Sequence, residues 1–365
     1  MVDNFELAQE EFQSSEKELI AQANKIQEQR KKLGLDGLVK GLEAIIINVE
    51  PDNFFKAIQE LLNYTGYDIQ DSFFNQHRKC SVLSLPGSAD ILITAYNTPR
   101  PNQNLNLYPK TQSLPNTRLE TFIFKVEDLD KYTTIQEEAG IKFEERIKNN
   151  NFKYVKTYPS AYTNNSLGFM EWKNKKSYRL DTDQDLELNL TKPQRSYLKY
   201  IGKLDHAATR VKAIWRNKAI LEFMSLTNYN FDFAIYVNQL NSITSVTRLS
   251  EKDFALVFTS GIQKLESKEI IGPTEGFIHY YGPRVHHLAF YTENIEEVFK
   301  NLKQDGLSFL IDLVGSEEEG LKQTFSCPSA YTFLVNEYIK RFGDFKGFFT
   351  KSNVTSLTKA TEKQL

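Results

Sequence analysis

Five histidines, His77, His206, His279, His286 and His287, are the chain's whole supply of imidazole. Two of them stand side by side in RVHHLAFYTENI, residues 284–295, at the head of a stretch that reads as a β-strand. Neighbouring strand residues point to opposite faces, so only one of His286 and His287 is expected to look into a given pocket. Neutral imidazoles brought together bind a transition metal, and a carboxylate commonly completes such a set. Glu337, in FLVNEYIKRFG, is the candidate carboxylate. It lies in an apolar, strand-like run, where an ionised group is costly to bury without a partner. Cys80 and Cys327 make neither a CxxC clip nor a disulfide framework.

The elements that must position these residues come from a fourfold internal repeat. LEAIIINVEPDNFFKAIQELLNYTGY from Leu42, LETFIFKVEDLDKYTTIQEEAGIKF from Leu119, LDHAATRVKAIWRNKAILEFMSLTNY from Leu204 and VHHLAFYTENIEEVFKNLKQDGLSFL from Val285 can be laid over one another. Each opens with a short apolar strand and continues with apolar residues three and four apart, such as Ile295, Val298, Phe299 and Leu302, which predicts a helix. Gly140 and Gly306 stand where a helix C-terminal cap belongs. Strand-like runs follow, among them SVLSLPGSADILITAY, SLGFMEWKN, FALVFTSGI and YTFLVNEYI. Four units with matched spacing predict an α+β fold of duplicated βαβββ modules.

The repeat assigns the histidines. Its third position is Ala44, Thr121, His206 and His287 in the four copies, so only the C-terminal pair brings imidazoles to equivalent points. The position before it holds Glu43, Glu120, Asp205 and His286, all polar and expected on the outward face or at a strand end. His287 is therefore the inward histidine. His206, His287 and Glu337 form the expected metal set. Glu171, in LGFMEWKN, is taken as the first-half counterpart of Glu337; it has no histidine partners, so the first half is expected to be metal-free. Two histidines and one carboxylate on one side of an ion leave positions open to substrate and dioxygen, as in non-haem Fe(II) oxygenases. Zinc or manganese could use the same ligands for Lewis-acid chemistry.

Ahead of the repeats, Phe5, Phe12, Leu19, Ile26 and Leu33 recur every seven residues in a segment rich in helix formers. A helix over residues 1–37 is expected to pack along the first domain, with a homodimer contact as the alternative. Residues 38–178 then form an N-terminal domain, 179–198 a charged linker and 199–365 a C-terminal catalytic domain. A formal net charge of −2 gives no reason to expect nucleic acid or an anionic membrane as partner. No apolar run approaches the roughly 20 residues of a membrane span. The acidic start MVDNFELAQEEFQ lacks a secretory pattern, and with few cysteines a cytoplasmic location is expected.

The C-terminal half resembles a known family. The modules look like the vicinal oxygen chelate fold, here as two open barrel-like domains, and residues 200–358 are similar to 4-hydroxyphenylpyruvate dioxygenases and their hydroxymandelate synthase sisters. LDHAATRV resembles the strand of the family's first metal histidine, and YYGPRVHHLAFYTENIEEVFKNLKQDGLSFL that of its second, usually written GxGVQHIAL. GLKQTFS with FLVNEYIKRFG resembles the LLQIFS and FFEIIQR segments, and GFFTKSNVTSL the closing GFGxGNFxAL helix. The resemblance implies that His206, His287 and Glu337 ligate Fe(II), and that Gln323 is the pocket glutamine. It also implies that Phe325 and Phe348 wall the substrate, that Ser245 is a substrate-side serine, and that a helix from about Asn353 closes the site. It implies a dioxygenase that uses O2 to decarboxylate and hydroxylate a small-molecule 2-oxo acid, 4-hydroxyphenylpyruvate or a related aryl acid. The departures are His286 where the family has glutamine, an unreadable INEP-like segment, and a short interval between His287 and Glu337.

Two rival readings stand beside this one. The first keeps the metal and changes the reaction to ring cleavage, isomerisation or a lyase step. The second is a non-catalytic binding protein on the same duplicated fold.

Overall fold

The computed structural model describes residues 2–98, 107–144, 146–263 and 272–365, with side chains from Glu16 onward. Its strands form two mixed sheets of nine and eight strands. In the second sheet, Ile201–Arg210 and Arg284–Thr292 lie antiparallel at the centre. Each opens a module and pairs in parallel with that module's last strand, Ala255–Ser260 or Val335–Arg341. The antiparallel strands Ser242–Arg248 and Asn230–Val237 complete one flank; Leu321–Ser326 and Phe309–Ser316 complete the other. The first sheet repeats this plan around Val39–Asn48 and Arg118–Val126, so the fourfold repeat is a fourfold βαβββ architecture. Gln184–Asp185, within the expected linker, adds a short strand beside Asp68–Phe74.

Amphipathic crossover helices give each sheet its buried face. Ile295–Gln304 buries Ile295, Val298 and Leu302, and Gly306 follows at φ +92°, a left-handed conformation that favours glycine. One continuous apolar core joins the helices and sheet faces of both halves, from Ile45 and Phe54 to Phe290 and Tyr338. The N-terminal helix Val2–Leu33 lies against the Arg216–Leu226 helix of the second half, not along the first half as expected. Arg30 fixes it there, donating to the carbonyls of Met224, Thr227 and Tyr229, while Glu16 pairs with Arg216 at 2.6 Å. Leu19 and Ala23 supply its buried stripe. Phe5 and Phe12 of the heptad lie outside the described side chains. No described helix is long and apolar enough to cross a membrane.

The central strands are interrupted at one recurring point. Register shifts leave Glu43, Glu120, Asp205 and His286 as extra residues opposite a partner strand that has none. These are β-bulges, which re-aim side chains and bend the strand. The polar position before each third slot is thus a bulge, not an outward face.

Candidate metal centre

The second sheet brings the expected triad together. His206 pairs across the strands with Ala289, and Glu337 lies beside Ala289 on the other side. His287 stands two residues before Ala289 and so shares its face. Alanine at that hub leaves room between the three larger side chains. All three are buried, and one ligand atom from each lies within 4.8 Å of the others. Both Nε2 atoms approach Glu337 Oε2, at 3.1 Å from His206 and 3.2 Å from His287. His206 Nε2 is buried and makes no aligned hydrogen bond, so its contact with Glu337 is one of charge. The donor atoms converge on one point, which suits a bound cation. The set of two imidazoles and one carboxylate fits a divalent transition metal.

A second layer of contacts fixes each imidazole. His206 Nδ1 donates to Asp205 Oδ1 at 2.8 Å, and Arg341 grips Asp205 with bonds of 2.5 and 3.0 Å. Burial would raise the Asp205 carboxyl, but Arg341 and His206 outweigh it and hold the group well below the usual range. Burial alone would push the His206 imidazole down; Glu337 and Asp205 outweigh burial and raise it to about 9. On the other side, the bulge turns both His286 and His287 into the cavity. His286 Nε2 donates to Gln364 Oε1 at 3.1 Å, leaving its Nδ1 to accept from His287 Nδ1 at 2.9 Å. That relay puts the free lone pair of His287 on Nε2, facing Glu337. Burial, then Arg210, holds His286 well below the usual imidazole range; burial, then His286, does the same for His287.

Glu337 is oriented from its other oxygen. Gln323 Nε2 donates to Glu337 Oε1 at 2.5 Å, and Asn353 Nδ2 donates to Gln323 Oε1 at 3.0 Å. Asn353 belongs to the helix Lys351–Ala360, capped by the Thr350 side chain, and Val354, Leu357 and Thr358 of that helix roof the cavity. Phe325 pairs with Glu337 across the strands and packs its ring 4.8 Å from His287. Phe348 and Phe349 both pack on His206, at 5.4 and 5.1 Å, but Phe349 lines the cavity while Phe348 stacks under Arg341. Ser245 lies on the opposite face of its strand, accepting from Arg216 Nε at 2.9 Å; its neighbour Thr244 faces the cavity.

The sequence reading missed Asp205, Arg341, Gln364 and Arg210, named Asn353 only as the start of the closing helix, and left His286 open. The recurring polar residue before the third slot was the one available signal for Asp205 and His286. The reading also misplaced a counterpart. Strand register sets Gly168, not Glu171, at the point equivalent to Glu337, because Ile123 pairs with Gly168 as Ala289 pairs with Glu337. A Cβ at Gly168 would lie 2.8 Å from the partly buried Tyr154 ring, so that ring takes the space of a ligand side chain. Glu171 instead accepts from Leu129 N and pairs with Lys153. With Ala44 and Thr121 at the histidine slots and Phe73, Leu92, Phe152 and Met170 packed on Ala44 and Ile123, the first half has an apolar filling.

No protein-family model matches the sequence, and neither does any curated protein. Among solved structures, the chain is similar to a variant of 4-hydroxymandelate synthase from Streptomyces coelicolor. The TM-score is 0.64 and the identity 14%, over 89% of this chain and 99% of the other. It is also similar to a xylose isomerase-like TIM barrel/4-hydroxyphenylpyruvate dioxygenase fusion protein, at TM-score 0.59 and 16% identity over 89% of this chain. It spans 53% of that longer protein. In fold, the chain is therefore 4-hydroxyphenylpyruvate dioxygenase-like, a duplicated α+β protein of the vicinal oxygen chelate type.

Proposed function

We propose that this chain is a non-haem Fe(II)-dependent dioxygenase that oxidatively decarboxylates and hydroxylates a 2-oxo acid, with His206, His287 and Glu337 as its iron ligands. The observation that carries the reading is the convergence of these three buried donors beneath a closing helix, with both histidine Nε2 atoms turned to one Glu337 oxygen. On this reading residues 199–365 are the catalytic unit, residues 38–178 a metal-free unit of the same fold, and 179–198 the connection. A cytoplasmic enzyme is part of this reading, and both Cys80 and Cys327 are free thiols.

Fe(II) bound here would supply a Lewis acid for the carboxylate and keto oxygen of a 2-oxo acid, and the electrons that reaction with O2 requires. The chain's residues do the rest. Asp205 and His286 hold the two imidazoles in the tautomer that presents Nε2. Gln323 keeps one Glu337 oxygen engaged so that the other faces the ion. Phe325, Phe349, Val354 and Leu357 exclude water around the reacting carbon. The helix Lys351–Ala360 must shift to admit substrate, which makes it a gate.

The test is aerobic turnover by iron-reconstituted protein with a panel of 2-oxo acids, starting with 4-hydroxyphenylpyruvate and following O2 uptake and CO2 release together. Matched O2 consumption and CO2 release with one member, lost in His206→Ala and Glu337→Ala, is the expected result. A metal-loaded protein that ignores every 2-oxo acid but turns over another substrate would instead be a ring-cleaving dioxygenase, isomerase or lyase. Biological activity retained in both metal-free variants would leave a binding protein.

A further inference from the structure

Among the described residues that line the cavity, Arg210 is the charged side chain outside the ligand set; it acts on the centre only through its field at His286 and His287. It sits four residues beyond His206 on the same strand, hence on the same face and about 13 Å along it. It is 96% buried, because only 4% of its surface is exposed. Its Nη1 donates to the Pro273 carbonyl at 3.2 Å and its Nη2 to Thr361 Oγ1 at 3.0 Å; the guanidinium lies 4.6 Å from the centre of the Phe277 ring. Both acceptors are neutral. Among the described residues no carboxylate pairs with it, and burial lowers its pKa to about 9 with nothing opposing. Other buried arginines have a different setting: Arg216 pairs with Glu16, and Arg284, held by the Thr117 carbonyl and the Phe333 ring, does not line this cavity.

The walls around Arg210 are polar. Thr244, Thr259, Thr274, Thr358 and Thr361 line the cavity with it, whereas Phe325 and Phe349 crowd the metal end. A divalent ion at the triad would give the cavity two cationic ends. It would be balanced by Glu337 and by one substrate carboxylate, leaving the guanidinium uncompensated in a buried space. Such a charge is costly to keep unless a ligand pairs with it, and a planar fork of N–H donors suits a carboxylate.

We propose that Arg210 binds a second carboxylate of the substrate, so that the preferred substrates are 2-oxo dicarboxylic acids whose oxo-acid end lies at the triad and whose far end meets the guanidinium and its threonines. This rests on the 2-oxo acid reading and narrows it away from aryl acids, which would set an apolar ring against an unpaired buried cation. Thr361 links the same guanidinium to the segment that follows the closing helix, so occupancy by an anion bears directly on closure.

The experiment is anaerobic calorimetric titration of the iron-loaded protein with 2-oxoglutarate and 2-oxoadipate, against their chain-matched monocarboxylates 2-oxopentanoate and 2-oxohexanoate, and against 4-hydroxyphenylpyruvate. At least one dicarboxylate is expected to bind roughly 10- to 100-fold more tightly than its monocarboxylate match, the range of a charge-assisted bond. Arg210→Gln, compared at equal iron occupancy, should erase that preference while leaving monocarboxylate affinity near wild type, and Arg210→Lys should keep part of it. If Arg210→Gln fails to fold, Arg210→Lys answers the question: it keeps a cation but loses the planar fork, so the preference should shrink without vanishing, and a preference equal to wild type would overturn the assignment. Tighter binding of monocarboxylates or of the aryl acid, or a dicarboxylate preference that survives Arg210→Gln, overturns the assignment and leaves the oxo-acid reading standing. If no 2-oxo acid of any kind binds, the parent reading has failed and the assignment falls with it.

Discussion

His286 and His287 are neighbours on one strand, yet their Nδ1 atoms meet at 2.9 Å because the strand bulges between them and its partner. The contact makes His286 the acceptor that selects the metal-binding tautomer of His287. Replacing it by phenylalanine keeps ring volume and removes the acceptor. His286→Phe is therefore expected to weaken metal binding roughly 10- to 100-fold, the usual cost of losing such a partner. His286→Gln, whose amide oxygen can still accept, should lose less. Co(II) titration followed by its visible bands measures both; equal affinity in wild type and His286→Phe would refute the relay.

Metal uptake should release about one proton near neutral pH, not two. In the metal-free protein His206 stays protonated up to about pH 9, so the ion must displace that proton. His287 is held well below the usual imidazole range and is already neutral. Apparent affinity should rise about tenfold per pH unit toward pH 9 and then level off. The same raised value sets the stability of the metal-free form: its contribution is full below the unfolded value of 6.5 and is lost as pH climbs through about 9. Calorimetry in buffers of different ionisation enthalpy counts the protons.

Arg341 makes Asp205 an acid-sensitive support. The carboxyl is held below its unfolded value of 3.8, so its contribution is present above that pH and is lost as pH falls below it. Arg341→Leu would leave the part-buried Asp205 carboxylate with His206 alone and is expected to cost about 3 kcal/mol. Urea unfolding at pH 7 gives the magnitude. The acid limb of the stability profile should flatten in the variant, because Asp205 then titrates nearer its ordinary value.

The triad was legible because the repeat carries register: His206 and His287 fill one slot in two copies, and an ionisable residue in an apolar strand marks Glu337. What surrounds it was hidden by shifts of a single residue. A β-bulge has no residue signature, yet it moves His286 from the outer face into the cavity. Alternation has period two, so a one-residue slip puts Ser245 against Arg216 and Thr244 in the pocket. A three-residue offset hid Gly168 behind Glu171. Gln364 lies 78 residues from His286, a distance at which no local pattern speaks. The heptad stripe of the first helix marked an apolar face, but the partner expected for it, the first domain, gave way to the second half.

Asn353 controls which way Gln323 faces, and an isosteric exchange tests it. Its Nδ2 donates to Gln323 Oε1, which leaves Gln323 Nε2 to donate to Glu337. Asn353→Asp would present an acceptor instead, drawing Gln323 Nε2 to itself and turning Gln323 Oε1 toward the Glu337 oxygen. Two acceptors would then oppose each other at a distance now spanned by a 2.5 Å bond. Asn353→Ala removes the donor without supplying a competitor, and Gln323 can keep its orientation. The aspartate, although nearly the shape of asparagine, should therefore be the more damaging change. The expected losses in kcat/KM are roughly 100-fold for the aspartate and about tenfold for the alanine, in line with removing a charge-assisted bond against a neutral one. Iron content should stay near wild type in Asn353→Ala and fall in Asn353→Asp. The reverse ranking would mean that Asn353 acts only by packing the closing helix, since alanine perturbs that packing more than aspartate does.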